Sequence, residues 1–382
     1  MAAQATQPTF YEFFAGGGMA RAGLGEGWRC LFANDFDASK AASYRANWGE
    51  GVMHVGDIHA LNVVDLPGAP DLAWASFPCQ DLSLAGHGAG LKGARSGAFW
   101  GFQRIIEGLR TEGRAPKLLV IENVIGALTS NGGADFADLT RALAALGYMV
   151  GALTIDAAHF LPQSRPRLFI LCAREELAGA VVGEPAPPWH SPALVRAVAA
   201  LPQEGQKSWR WWRLPTPTPH NMRLVDLIEE DPRDTPWHGP EETARLVSLM
   251  SPANLRKLEA AKGAGMRMVG TIYRRTRLDE TGAKVQRAEV RFDGIAGCLR
   301  TPGGGSSRQF IMVVDGARVR TRLLSGREAA RLMGLPDDYI LPARYNDAYH
   351  LLGDGLAVSA VRFLRMHLLD ALVRGAPVQA AA

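Results

Sequence analysis

The sequence predicts an α/β fold: a mostly parallel, doubly wound sheet followed by a smaller domain of different texture. Two observations carry the expectation. Over the first 175 residues short apolar runs alternate with amphipathic stretches, the pattern of strands joined by helical crossovers. After about residue 177 that rhythm is broken by Pro185, Pro187, Pro188, Pro192, Pro202, Pro215, Pro217 and Pro219 and by a run of tryptophans.

Strand patterns fall at Thr9–Ala15, Trp28–Asn34, Val52–Val55, Leu72–Ser76, Lys117–Glu122, Tyr148–Ile155 and Arg167–Cys172. Helical patterns fall between several of them, at Ala38–Trp48, Gly97–Arg110 and Phe136–Leu146, and return at Ser325–Met333 and Ala357–Val373. The expected division is a discontinuous first domain of residues 1–177 plus 350–382 and an irregular second domain with its hinge over residues 185–345. Ligands of a doubly wound sheet bind beyond the carboxyl ends of its strands, so the loops that follow strands are where chemistry is expected.

Composition narrows the function classes. Of 382 residues, 47% are hydrophobic and 21% charged, ordinary for a protein with a sizeable core. The apolar stretch Ala142–Ile155 is shorter than the roughly 20 residues of a membrane span. The opening residues show no secretory pattern. The four cysteines (Cys30, Cys79, Cys172 and Cys298) form no C-x-x-C pair and the nine histidines show no metal-ligand spacing. These features predict a cytoplasmic protein with neither membrane contact nor metal. The net charge of +4 is unevenly placed: Lys262 to Arg327 holds 14 Lys/Arg against 5 Asp/Glu, a surplus of +9, leaving −5 for the rest. A basic block on a mildly acidic body is the footprint of a nucleic-acid binder, and also of a merely solvated basic face.

The first strand runs into Phe14-Ala15-Gly16-Gly17-Gly18, where glycine lets the backbone turn and approach a ligand. The residue three after Gly18 is Arg21, so the dinucleotide pattern G-x-G-x-x-G fails and a nicotinamide enzyme is disfavoured. Asp35 and Phe36 end the second strand, an acid for ribose hydroxyls and a ring for stacking on adenine. Asp57, followed by Ile58, is placed to accept from an adenine amino group. The fourth strand leads into Pro78-Cys79-Gln80, the fifth ends in Glu122-Asn123-Val124, and Gln163-x-Arg165-x-Arg167 opens a later strand.

In this order and strand context these motifs resemble the DNA cytosine-5 methyltransferases of the prokaryotic restriction–modification type. Arg327-Glu328-Ala329-Ala330-Arg331-Leu332-Met333-Gly334 and Gly353-Asp354-Gly355 extend the resemblance. It implies a Rossmann-like S-adenosylmethionine-dependent methyltransferase fold with a smaller irregular target-recognition domain. Cys79 is then the nucleophile, Glu122 the group that holds the base at N3, and Arg167 with Arg165 the donors to O2 or a nearby phosphate. Phe14, Ala15, Gly16, Gly18, Asp35, Phe36, Asp57, Ile58 and Pro78 would hold the cofactor, S-adenosyl-L-methionine. The partner is double-stranded DNA, met by Gln80, Arg274, Arg275, Arg277, Arg300, Thr301, Gly303, Gly304 and Arg308, with Arg287 and Arg291 nearby. The target cytosine would rotate out of the duplex, with the loop Asp81–Arg95 closing over it. A monomer is expected, with a cognate restriction endonuclease acting separately. The Trp209, Trp211 and Trp212 cluster is expected to form the small domain's core. The chain departs from the resemblance at Asp354, where many relatives carry asparagine. A transfer-RNA cytosine-5 methyltransferase and a catalytically dead DNA-binding module share parts of the pattern; the long basic segment speaks against the first and the intact Cys79, Glu122 and Arg167 against the second.

Overall fold

The computed structural model describes residues 7–78, 97–178, 183–301 and 308–375. The chain divides into two compact units. One comprises residues 1–156, 166–218 and 358–382, the other residues 157–165 and 219–357.

The first unit is built on a seven-stranded sheet of β1 (Thr9–Phe13), β2 (Arg29–Asp35), β3 (Met53–Val55), β4 (Leu72–Ala75), β5 (Leu118–Asn123), β6 (Tyr148–Asp156) and β7 (Pro166–Arg174), in the order β3-β2-β1-β4-β5-β7-β6. The first five neighbours in that order pair in parallel, whereas β7 runs antiparallel to both β5 and β6. Every residue of β1, β4 and β5 is buried, as strands covered on both faces require. Helix α3 (Ala98–Thr111) offers Phe99, Phe102, Ile105, Ile106 and Leu109 to one face at helical spacing, and Phe102 meets Phe13 edge-on at 5.5 Å. Helix α4 (Ala134–Ala145) adds Phe136, Leu139 and Leu143 to the same cluster. Helices α1 (Met19–Leu24) and α2 (Ala38–Trp48) follow β1 and β2; Asp37 starts α2 by accepting from the amides of Ser39 and Lys40. The C-terminal helical stretch is tied to this unit by Trp28 Nε1, which donates to Asp370 at 2.7 Å, and by Arg365, which donates to the Leu24 carbonyl at 2.9 Å.

The Trp-rich segment corrects the sequence expectation, because it belongs to this unit and not to the smaller one. Ser208 and Arg210 exchange backbone hydrogen bonds with Val150 on the outer edge of β6, at 2.8 and 2.7 Å. Trp209 packs into the main core, and Trp212 is buried with its Nε1 donating to the Leu171 carbonyl at 3.0 Å. A sheet edge left bare invites pairing with other chains, and these residues cover it.

The second unit is also more regular than its composition predicts. It contains an antiparallel sheet of β8 (Met268–Leu278), β9 (Lys284–Arg291), β10 (Phe310–Asp315) and β11 (Arg318–Leu323), in the order β11-β10-β8-β9. Helices Pro240–Ser248 and Pro252–Lys262 back one face, closing a core that includes Leu246, Leu258, Ile272, Val290, Met312 and Val314. The alternation was hidden because arginines, not small polar residues, occupy the other face of β8, β9 and β11. Among the described residues no helix is long and apolar enough to cross a membrane.

A buried ion pair organises this unit. Arg322 on β11 and Glu328 in the helix Gly326–Leu332 are both fully buried and meet through two hydrogen bonds, at 2.7 and 2.5 Å. Glu328 also accepts from the Ser325 and Glu229 amides, while Arg322 donates to the Glu229 carbonyl. Removing one partner leaves an uncompensated buried charge, so Glu328→Ala should destabilise the protein by about 3–5 kcal/mol. Urea denaturation followed by tryptophan fluorescence measures this. A double replacement by Arg322→Met and Glu328→Leu should cost markedly less than the single change; equal losses would refute the ion-pair account.

Candidate active site

The loop after β1 is shaped by backbone conformations that few residues accept. Phe14, Gly16 and Gly18 have φ of 57°, 54° and 78°. At Gly18 a Cβ would lie 2.3 Å from the Trp48 ring, so only glycine fits beneath that indole. At Gly16 the space is open, with no atom within 4 Å of where a Cβ would stand. Ala15 donates to the Asn34 carbonyl at 3.0 Å and Gly16 to the Asp35 carboxylate at 2.8 Å, stitching this loop to the end of β2. Asp35 accepts from the Asp37 amide as well, and its burial raises its pKa.

The remaining candidates for cofactor contact divide by exposure. Phe36 stands 76% exposed beside the loop, a ring free of packing on the carboxyl edge of the sheet. Asp57 is exposed and caps the turn Ile58–Ala60 by accepting from the His59 amide. The Ile58 side chain is buried in the core, which leaves its backbone as the part that could meet a ligand. Pro78 is exposed at the end of the segment that leaves β4. Open backbone at Gly16, an exposed ring and two carboxylates fit an adenosine-bearing cation of the expected kind.

On the same sheet edge, β5 and β7 bring Glu122 and Arg167 together. Their register sets Phe169 opposite Glu122, and Arg167 reaches diagonally to place Nε 3.1 Å from Glu122 Oε1. Both side chains are largely buried, at 10% and 16% exposure, so this pair holds its geometry with little competition from water. Asn123, part of the motif but not singled out from sequence, donates to the Phe77 carbonyl at 3.3 Å. It thereby ties the end of β5 to the segment that enters Pro78-Cys79. Cys79 and Gln80 themselves, with the loop Asp81–Arg95, lie outside the described residues.

Arg165 has a different task from Arg167. It is 2% exposed in the second unit and donates to the carbonyls of Leu299, Gly353 and Gly355 at 2.8, 2.9 and 2.6 Å. Gln163, fully buried, donates to the Leu332 carbonyl and accepts from the Leu299 amide. The two residues pin loops of that unit. Asp354 accepts from the Thr301 hydroxyl, a bond that an asparagine oxygen could also accept.

The other expected DNA contacts are spread over several environments. Arg274 lies with its guanidinium 5.3 Å from the Phe310 ring. Arg275 and Arg277 share Glu289. Arg308 donates to Asn346 at 2.5 Å, and Arg300 is exposed. Gly303 and Gly304 lie outside the described residues.

Residues 8–369 match the family described as C-5 cytosine-specific DNA methylase. The chain belongs to that family. Among curated relatives it is similar to the type II methyltransferase M.HhaI of Haemophilus parahaemolyticus, 25% identical over 97% of this chain and 96% of that protein. It is 24% identical to M.DsaV of Dactylococcopsis salina over 95% of this chain and 86% of the relative. M.BsuFI of Bacillus subtilis is 36% identical over 43% of this chain and 38% of its own length. The fold is shared with the methyltransferase EhMeth of Entamoeba histolytica, at a TM-score of 0.61 and 14% identity over 96% of this chain and 99% of that one. It is shared also with the Dnmt2 methyltransferase of S. pombe, at 0.57 and 18% over the same shares.

One residue near the glycine loop of this methylase escaped the sequence reading. Glu12, on β1, is 1% exposed and accepts from the Arg21 amide at 3.4 Å. Burial pushes its pKa up to about 8, so near neutrality it is largely protonated. The only signal was a single acid inside the apolar run Phe10-Tyr11-Glu12-Phe13-Phe14. A carboxyl whose folded pKa is raised contributes stability that is present below its ordinary pKa of 4.5 and lost as pH climbs through about 8. Glu12→Gln should therefore flatten the decline in unfolding free energy between pH 5 and pH 9. Denaturant titrations across that range test it, and parallel declines for the two proteins would show that Glu12 does not carry the effect.

Proposed function

We propose that this methylase transfers a methyl group from S-adenosyl-L-methionine to carbon 5 of a cytosine rotated out of a specific double-stranded DNA site, through a covalent adduct with Cys79. The observation that carries the reading is the buried Glu122–Arg167 pair on the strand edge where Asn123 holds the chain that runs into Pro78 and Cys79. A proton-bearing or hydrogen-bonding acid, a fixed cation and a thiol are what activation of a cytosine ring needs.

Carbon 5 of cytosine is a weak nucleophile, and addition of the Cys79 thiolate to carbon 6 turns it into an enamine-type carbon. Glu122 meets N3 and delivers a proton or hydrogen bond there, so that negative charge does not build up on the ring. Arg167 keeps the carboxyl oriented and supplies a positive field toward O2. The cofactor, held by the loop Phe14–Gly18 with Asp35, Phe36 and Asp57, supplies an electrophilic methyl group when bound. After the new carbon–carbon bond forms, loss of the carbon-5 proton and elimination of the Cys79 sulfur restore the aromatic ring. The base must leave the helix for this chemistry, since both faces of the ring are stacked in duplex DNA. The second unit, which carries the basic surplus, supplies the target recognition. The type II names of the relatives support a restriction–modification setting, with an endonuclease of the same specificity acting separately.

Cys79→Ser should abolish methyl transfer and leave S-adenosylmethionine binding nearly intact, because a hydroxyl is far less nucleophilic than a thiolate. Tritiated-methyl incorporation and calorimetry read the two properties separately. DNA carrying 5-fluorocytosine should trap a complex that survives denaturing gels, and turnover by the serine variant without trapping would overturn the covalent route.

Glu122→Gln keeps a hydrogen bond but lacks the proton for N3. It should lower single-turnover methylation by roughly 10²–10⁴-fold with DNA binding retained. A rate close to that of the unmodified enzyme would remove Glu122 from this role.

A further inference from the structure

The connection from β3 to β4 spans residues 56–71 and carries the short turns Ile58–Ala60 and Val63–Asp65. A stretch of that kind has backbone carbonyls that neither helix nor sheet satisfies, and they need donors from elsewhere. Two arginines of the α3 segment supply them. Arg104, on α3, turns a single guanidinium nitrogen, Nη2, to the carbonyls of Ile58, His59 and Leu61, at 3.2, 3.4 and 2.8 Å. Arg114, just past the end of α3, donates to the carbonyls of Val63, Leu66 and Gly68 at 2.9, 2.7 and 2.7 Å. Each arginine therefore holds one half of the connection.

The face of α3 that meets the turns is shaped for this grip. Gly101, Arg104 and Gly108 follow at helical spacing on one side of the helix. A Cβ at Gly101 would lie 2.7 Å from Ile58 Cγ2, and one at Gly108 would lie 2.4 Å from Val63 Cγ2. The glycines let the helix approach, and Arg104 between them reaches the carbonyls. Arg104 is itself exposed, so it fills no part of the core. On the other flank Asn34 of β2 donates to the carbonyls of His54 and Gly56 at 3.2 and 2.9 Å. Asp57 stands between these two clamps. It is exposed, and its Oδ1 accepts from the His59 amide at 2.9 Å, while the carbonyl of the same His59 is held by Arg104.

We propose that Arg104 is a positioning residue for cofactor recognition: by fixing the turn Ile58–Ala60 it aims the Asp57 carboxylate at the amino group of the adenine ring. The claim rests on the reading of Asp57 as the acceptor for that group in S-adenosyl-L-methionine. Oδ1 is turned inward by the His59 amide, which leaves Oδ2 as the oxygen for the ligand amine. A carboxylate on an exposed turn selects a ligand only if the turn is held before the ligand arrives, because ordering it on binding would cost affinity. Arg104 acts through the backbone and touches no ligand atom. Arg114 performs the same service for the part of the connection that lies away from Asp57, so its task is structural.

The test is calorimetric binding of two ligands to the full-length protein: S-adenosylhomocysteine and its analogue with hydrogen in place of the adenine 6-amino group. The unmodified protein should prefer the amino ligand by roughly 10- to 100-fold, the range of a hydrogen bond to a charged acceptor. Arg104→Ala should remove most of that preference and raise the KM for S-adenosylmethionine roughly 10-fold, with kcat little changed. Arg104→Lys puts an ammonium with three donors near the place of Nη2 and should restore most of the preference. Arg114→Ala should lower the thermal unfolding midpoint and leave the preference intact. Wild-type preference in Arg104→Ala would overturn the proposal, as would an equal loss of preference in Arg114→Ala. Absence of any preference in the unmodified protein would instead remove the Asp57 contact on which the proposal rests, and failure to bind either ligand would overturn the cofactor itself.

Discussion

Because β7 runs against β5, Phe169 lies opposite Glu122, Leu168 opposite Asn123, and Arg167 arrives one diagonal step from the carboxylate. In an all-parallel sheet the chain would need a crossover to bring a further strand alongside β5, and its first residues would lie at the far end. Antiparallel entry instead starts β7 at the edge where β4 and β5 finish. The register is set by what lies behind it: Leu119 and Ile121 on β5, with Ile170 and Cys172 on β7, share the core that α3 and α4 cover. A slip of one residue would turn Glu122 and Arg167 toward this apolar cluster and bury their charge there. The geometry of the Glu122–Arg167 pair therefore depends on the hydrophobic packing behind it.

A second constraint is the distribution of cations. The basic segment contains arginines with very different tasks, and charge counting treats them alike. Arg322 is sealed in a pair with Glu328, Arg291 is held by Asp293, and Arg320 and Arg322 both lie against the Trp237 ring. Arg165, outside the segment, donates to three carbonyls. Arg165 and Arg322 satisfy backbone carbonyls between distant segments, a use that suits a planar group with five donors. Only the arginines that remain exposed after this accounting can meet an anionic partner without dismantling the unit.

The glycine loop combines both lessons. Gly18 is required because Trp48 lies where a side chain would go, whereas at Gly16 it is the left-handed backbone alone that favours glycine, the space above it being open. Asp35, expected as a ribose ligand, is also the acceptor that holds the loop in shape through the Gly16 amide. A substitution there would change the loop before it changed any ligand contact.

The strands of the large sheet, the residues that end them and the family of the chain were legible in the sequence, because buried parallel strands are short apolar runs and the motifs sit directly after them. The paired Glu122 and Arg167 were legible as residues but not as neighbours, since 45 positions separate them and only the β5–β7 register joins them. The second sheet was not legible, because arginines and lysine punctuate β8, β9 and β11 and make them read as a basic tract. The roles of Arg165, Glu12 and the tryptophans were not legible either. Each is decided by which carbonyl, amide or sheet edge lies alongside it, and that is a property of packing between distant segments which no local pattern encodes.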